Sequence, residues 1–274
     1  MPVSQLHPQR LLNIAQFELV RLFLTKRGLL AVAAFAICWL LILRYPIGQA
    51  VSLISSPEIA ELAQQVFGAI GLSKLLDWPE AELAMYWLIA LYSFPSFCLF
   101  LCSDQLVGDK QRGTLRFLSL RATRNEMLFG RFLGQVFILA ALLIVTLVAA
   151  VAVMAFREPA LLMTGLSRSF MLFCYLLIAV LPFIALMTLL NTFARSARLT
   201  VVLAVLFFAG GNIVVGLLSW QIPAMAMLDY IFPGVQLDQM AGQNAGLFNS
   251  LGIPVIQTVV MLALAQRIFA RSSL

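Results

Sequence analysis

Phe132-Leu-Gly-Gln-Val-Phe-Ile-Leu-Ala-Ala-Leu-Leu-Ile-Val-Thr-Leu-Val-Ala-Ala-Val-Ala-Val-Met-Ala-Phe156 runs for 25 residues without a charge. A helix needs about 20 apolar residues to cross the hydrocarbon of a bilayer, so this run is long enough to span it. Outward from it, the charge-free runs 28–43, 83–103, 169–194, 199–228 and 239–266 repeat the pattern. The whole chain of 274 residues is 62% hydrophobic and 11% charged, against about 45–50% and about 25% in soluble domains. Such a chain is an integral membrane protein. The expected fold class is an all-α polytopic membrane protein, one domain over 1–274, with spans at 28–47, 83–103, 132–156, 169–193, 199–220 and 250–269. The first run is short, and Arg44 is expected to extend it by snorkelling, beside Tyr45. Pro223, Pro233, Gly234, Gly242 and Gly246 interrupt the stretch 221–250, which is expected to be something other than a span.

The loops set the orientation. The net charge of +6 reads as topology before it reads as affinity for nucleic acid, and no nucleic-acid partner is expected. Fourteen Lys and Arg lie on one side: Arg10, Arg21, Lys26 and Arg27, then six from Lys110 to Arg131, then Arg195, Arg198, Arg267 and Arg271. Four lie on the other: Arg44, Lys74, Arg157 and Arg168. By the positive-inside rule both termini are cytoplasmic.

Residues 8–27 place Leu11, Leu12, Ala15, Leu19, Leu22 and Phe23 on one arc and Arg10, Glu18, Arg21 and Thr25 opposite. This predicts an interfacial helix, serving as an anchor or helping to dock a partner. In the first outer loop, Ser56-Pro57-Glu58 signals a short surface helix to about Phe67, and Asp77-Trp78-Pro79-Glu80 leads into the second span.

The loop 104–131 is the most informative stretch: Asp104-Gln-Leu-Val-Gly108-Asp109-Lys110-Gln-Arg112-Gly113-Thr114-Leu115-Arg116-Phe-Leu118-Ser-Leu120-Arg121-Ala-Thr123-Arg124-Asn-Glu126-Met-Leu-Phe-Gly130-Arg131. Gly108 and Gly113 are expected to break the emerging helix, and Thr114 to cap a short crosswise one with Leu115, Leu118 and Ser119 on a face. Thr123 and Glu126 are spaced as a capping box that starts the helix returning to the bilayer. A basic loop that merely obeys the positive-inside rule is the simpler alternative.

Much chemistry is missing. The three lysines, Lys26, Lys74 and Lys110, stand outside any Gly-x-x-x-x-Gly-Lys-Ser/Thr phosphate loop. The chain is not expected to be an enzyme or to hold a cofactor. His7 is the sole histidine, which leaves no His-based triad or metal cluster. Cys98 and Cys102, four apart with Met85 upstream, suit buried thiols better than a copper site. Ser93 and Ser96 around Pro95, and Asn212 after Gly210-Gly211, are polar candidates for a conduit; Asn212 serves equally for helix packing. Gly130-x-x-x-Gly134 reads as a close-packing face.

The loop resembles the signature of ABC transporter permeases of the type-2 exporter superfamily. In that signature an acidic residue, Gly-Thr-Leu, a leucine pair, an Arg and Gly-Lys-x-x-Gly follow the second span. Asp109, Gly113, Thr114, Leu115, Leu118, Arg124, Gly130 and Gly134 match. Six spans, cytoplasmic termini, the lead-in helix and the broken segment before the last span agree with it. Asp109 stands where Glu is usual, Ala122 where Pro is common and Arg131 for Lys, and the stretch from Thr114 to Arg124 is one residue short. Within the superfamily the loop is most similar to that of the permease of the nitrous-oxide-reductase maturation exporter. The resemblance implies a permease without catalysis of its own, in the bacterial inner membrane. Asp109, Gly113, Thr114, Leu115, Leu118, Arg124 and Gly130 would couple it to a cytoplasmic ATPase that binds the ATP. Two ATPases would join two permeases, the second a copy or a paralogue. Cargo would pass along the second and fifth spans, near Ser93, Ser96 and Asn212, beneath a re-entrant outer cap at 221–250. Few polar residues in the spans lean toward an amphipathic or lipid-like cargo, with a polymer or maturation factor as the alternative. A membrane scaffold that anchors a cytoplasmic partner without transport is the rival reading.

Overall fold

The computed structural model describes residues 7–49, 78–118, 120–241 and 251–271. The expected surface helix at 56–67 and the residues Ser119, Gly242 and Gly246 lie outside them. Among the described residues every regular element is helical. Six helices are long and apolar enough to cross a bilayer: Gly28–Ile47, Ala81–Gln111, Arg124–Arg157, Pro159–Phe193, Ala197–Gln221 and Ile253–Arg271. The chain is a multi-pass membrane protein.

In chain order, α1 (Pro8–Leu24) and α2 (Lys26–Ile42) meet at an elbow at Thr25. The Thr25 hydroxyl accepts the Gly28 N–H at 3.1 Å, which caps α2. Then follow α3 (Ala81–Leu101), the short α4 (Val107–Arg112) and α5 (Thr114–Leu118), α6 (Arg124–Arg157) and α7 (Leu162–Phe193). A π-helical turn at Leu206–Gly210 divides the fifth span into α8 (Ala197–Val205) and α9 (Gly211–Gln221). The chain ends with α10 (Leu237–Ala241) and α11 (Ile253–Arg271).

The helices outrun the charge-free stretches. α6 begins at Arg124 and carries Glu126 and Arg131 before its apolar run starts. A charge does not end a helix, whereas a cap does: Thr123 Oγ1 accepts the Glu126 N–H at 3.3 Å and Glu126 Oε2 accepts the Thr123 N–H at 2.8 Å.

The main core lies between α3, α6 and α7, and the aromatic rings of α2 close one side of it. Trp39 stands 5.5 Å from Tyr86 and 5.4 Å from Phe94, centroid to centroid. The Tyr86 and Thr146 hydroxyls share a hydrogen bond of 3.0 Å, so the phenol is satisfied in its apolar surroundings. The spans are unequally covered. Over half of the fourth span's apolar window is buried (56%), but only 11% of the first's and of the fifth's.

Two ends can be distinguished. At the end carrying residues 78–82 and 157–168, the buried Glu82 pairs with Arg157, and the buried Glu80 lies 3.0 Å from Arg168, whose guanidinium stacks on Trp78. Arg157 and Arg168 are therefore both matched by carboxylates. The other end, here the basic end, holds the 102–124 loop. After α9, Pro223–Ile231 winds as 3₁₀ turns and folds back on the fifth span. A Cβ at Gly211 would stand 2.2 Å from the Phe232 ring, so only glycine admits that ring. Gln257 of α11 donates to the Tyr230 and Phe232 carbonyls at 2.7 and 3.2 Å. It adds a partner to backbone carbonyls of the irregular segment, which low-dielectric surroundings favour.

Candidate functional site

The loop after α3 turns through Cys102–Asp104 into α4 and reaches Gly113 with φ of +67°. This left-handed position ends α4, and a Cβ there would meet nothing within 4 Å, so conformation and not space selects the glycine. Gly108 does not break the helix as expected; it sits inside α4. A Cβ at 108 would lie 2.9 Å from the Asp104 carboxylate and 3.2 Å from the Arg21 guanidinium, so its role is to let α1 approach. Thr114 makes a contact that its expected role did not include. Its hydroxyl donates back to Asp109, to Oδ1 at 3.0 Å and to the carbonyl at 3.3 Å. It latches α5 to α4.

The base of the loop is tied to helix ends. Lys110 donates to the carbonyls of Asn191 and Thr192 at 2.8 and 2.7 Å, at the C-terminus of α7. Arg124 donates to the carbonyls of Ala270 and Phe269 at 2.8 and 3.3 Å, at the C-terminus of α11. Terminal carbonyls lack helical partners and carry partial negative charge, so both cations meet them favourably. Gln111 adds a bond to the Arg195 carbonyl at 2.9 Å, and Asn191 one to the Cys102 carbonyl at 2.8 Å.

At the centre stands Arg131, 2% exposed. It donates to the Gln105 carbonyl and the Asp109 carboxylate and lies 3.4 Å from the Glu18 carboxylate. Three elements, α1, α4 and α6, converge on this one side chain. Arg21 widens the cluster, 3.7 Å from Glu18 and 3.6 Å from Asp104. Burial pushes the Glu18 carboxyl above its ordinary range, against the pull of Arg131 and Arg21.

This arrangement corrects the expected face of α1. Glu18, placed on the polar arc, is buried with Ala15 and Leu22, while Leu12, Phe17, Val20, Phe23 and Leu24 are uncovered. Glycines make the seat: a Cβ at Gly130 would lie 2.9 Å from Ile14, and one at Gly134 2.9 Å from the Glu18 stem. The close-packing face thus receives α1, and Gly130 is covered from within the chain.

The tip is different. Phe117 is 74% exposed, Leu120 82% and Leu118 36%. Leu118 was expected at the contact face; Phe117 and Leu120 carry no signal in the sequence beyond their hydropathy. The side chain of Leu115 lies outside the described residues. Of the candidates, Asp109, Thr114, Arg124 and Gly130 belong to the base, and Gly113 and Leu118 are exposed.

The conduit candidates separate. Ser96 and Asn212 line one cavity of about 580 Å³ with Tyr92, Asp229 and Phe232. Ser93 is absent from that lining; its buried Oγ has no hydrogen-bond partner. Tyr92 donates to Asp238 at 2.7 Å, which links α3 to α10 beside the cavity. The Cys98 and Cys102 sulfurs are buried 3.7 Å apart, and Cys102 faces the Gln135 carbonyl. Among the described residues no three His, Cys, Asp or Glu gather as a metal site.

The family model of the ABC-2 family transporter protein matches residues 12–274, from the first turns of α1 to the C-terminus. No curated protein gives a match. Six apolar helices, a lead-in helix seated on the third span and a compact loop between the second and third therefore stand within that match, and the chain belongs to the ABC-2 transporter family as a permease component of an ABC transporter.

Proposed function

We propose that the chain is the membrane subunit of an ATP-driven exporter whose ATPase is a separate cytoplasmic chain docking on the tip of the 104–124 loop. The observation that carries this is the contrast of Phe117, Leu118 and Leu120, uncovered in the loop between the second and third spans, with a base in which Lys110, Arg124 and Arg131 are each engaged. Apolar groups held out on a braced support suit a partner's cleft. The charge split supports a cytoplasmic loop and termini, and the resemblance to exporter permeases supports placement in a bacterial inner membrane. The working unit is two permeases with two ATPases, and the bare fifth and first spans are the faces open to a second permease. Cargo follows the cavity bounded by Ser96 and Asn212, beneath the 221–250 segment as an outer cap. The nitrous-oxide-reductase maturation exporters are the subgroup whose loop supports the narrower assignment.

The test is purification from membranes that also contain the cognate ATPase. The expected result is a two-plus-two complex that hydrolyses ATP, and no hydrolysis by this chain alone. A scaffold would bind its partner without nucleotide-dependent transport into inverted vesicles.

A further inference from the structure

At the elbow between α1 and α2 lies a half-open cavity of about 350 Å³ that the transport reading does not use. This is within the range of ligand sites, about 300–1,000 Å³. One wall is polar: Glu18, Arg21, Asp104 and Gln105. The other is apolar: Ala31, Phe100 and Ile138. Gln105 is 2% exposed, and its amide nitrogen has no hydrogen-bond partner, although its oxygen accepts the Thr188 hydroxyl at 3.1 Å. Glu18 is 4% exposed and one of its oxygens also lacks a hydrogen bond, being near Arg131 and Arg21 only as an ion pair. A buried donor and a buried acceptor left open on one cavity wall are costly unless something fills them.

The position specifies what fills them. The first span starts at Gly28, which itself lines the cavity, so the polar wall stands at headgroup depth. Phe100 is 67% exposed, so the apolar wall opens on the outer surface of the bundle. The polar wall presents one guanidinium and an amide donor together with two carboxylates, a set that matches a ligand carrying both a phosphate and an ammonium. We propose that a zwitterionic phospholipid from the leaflet at the basic end occupies this cavity, its phosphate on Arg21 and the Gln105 amide, its ammonium on Asp104 and Glu18, and its chain along Ala31, Phe100 and Ile138. Bound there, it braces the elbow against the α3–α4 turn. The inference is independent of what the permease moves.

Native mass spectrometry of the full chain, released from nanodiscs of equal phosphatidylethanolamine and phosphatidylglycerol, tests it. One phosphatidylethanolamine should remain per chain, at least tenfold in excess of phosphatidylglycerol. Arg21→Gln should lower that retention at least tenfold. Ala31→Phe, which fills the apolar wall and leaves every polar group in place, should do the same. Equal retention of the two lipids, or undiminished retention in Ala31→Phe, would overturn the proposal. Capture of soluble phosphoethanolamine by lipid-free protein as tightly as the lipid would overturn the assignment to a lipid, since the apolar wall would then contribute nothing.

Discussion

The base and the tip of the 104–124 loop are a few residues apart in sequence and opposite in physical character. At the base, Lys110, Arg124 and Arg131 each find acceptors on another part of the chain, and the carboxylates of Asp109 and Glu18 converge on one guanidinium. At the tip, Phe117 and Leu120 touch little of their own protein. The base spends its charges internally and so fixes where the tip stands. The tip contributes almost nothing to folding and is free to be selected for a partner. If that division holds, substitutions in the base should act on stability first, and substitutions at the tip on association alone.

The largest expected effect is at Arg131. Arg131→Leu leaves the buried Glu18 and the half-buried Asp109 without their common partner, and breaking a buried pair in this way costs about 3–5 kcal/mol. Membrane levels should fall, and α1 should become accessible to protease. Arg131→Lys keeps the charge but cannot span the Gln105 carbonyl and both carboxylates at once, so it should recover only part of the loss. A variant Arg131→Leu that is as stable as the wild type would mean that the base is not a support.

Next comes the tip. Phe117→Asp combined with Leu120→Asp should leave the melting temperature within a degree or two, because neither side chain is buried, and exposed sites away from special features shift stability within about 0.5 kcal/mol. Copurification of the ATPase should fall at least tenfold. Loss of stability together with loss of binding would erase the distinction between the two regions.

Thr114 lies on the border and should show the smallest effect. Thr114→Ala removes hydrogen bonds to Asp109 but leaves that carboxylate on Arg131. A cost of about 0.5–1.5 kcal/mol, typical of a single hydrogen bond, is expected in thermal unfolding. Transport should be reduced but not abolished, because α5 is loosened and not removed.

How far the molecule was legible in its sequence follows the same division between local and distant interactions. The six spans were legible because a bilayer imposes length and apolarity on each run separately. The Thr123–Glu126 box was legible because both partners sit within one turn. The burial of Glu18 was not, since a helical wheel turns every charge toward water unless a compensating charge is known, and Arg131 reaches it from a distant helix. Gly108 was misread for the same reason: the steric demand on it comes from Arg21 and Asp104, not from a turn. Of the conduit candidates, Ser96 and Asn212 share a cavity while Ser93, one helical turn from Ser96, is absent from its lining. Spacing around Pro95 carried no information on that.

The measurement that bears most directly on the central claim is site-specific cross-linking in intact membranes. A photoreactive residue replaces Phe117 at the tip or, as the control, Trp220, which is 84% exposed at the far end of the fifth span. The account predicts a covalent adduct with a separately encoded ATPase from position 117 and none from position 220. No adduct from position 117 in membranes that support transport, or an ATPase adduct from position 220, would contradict it.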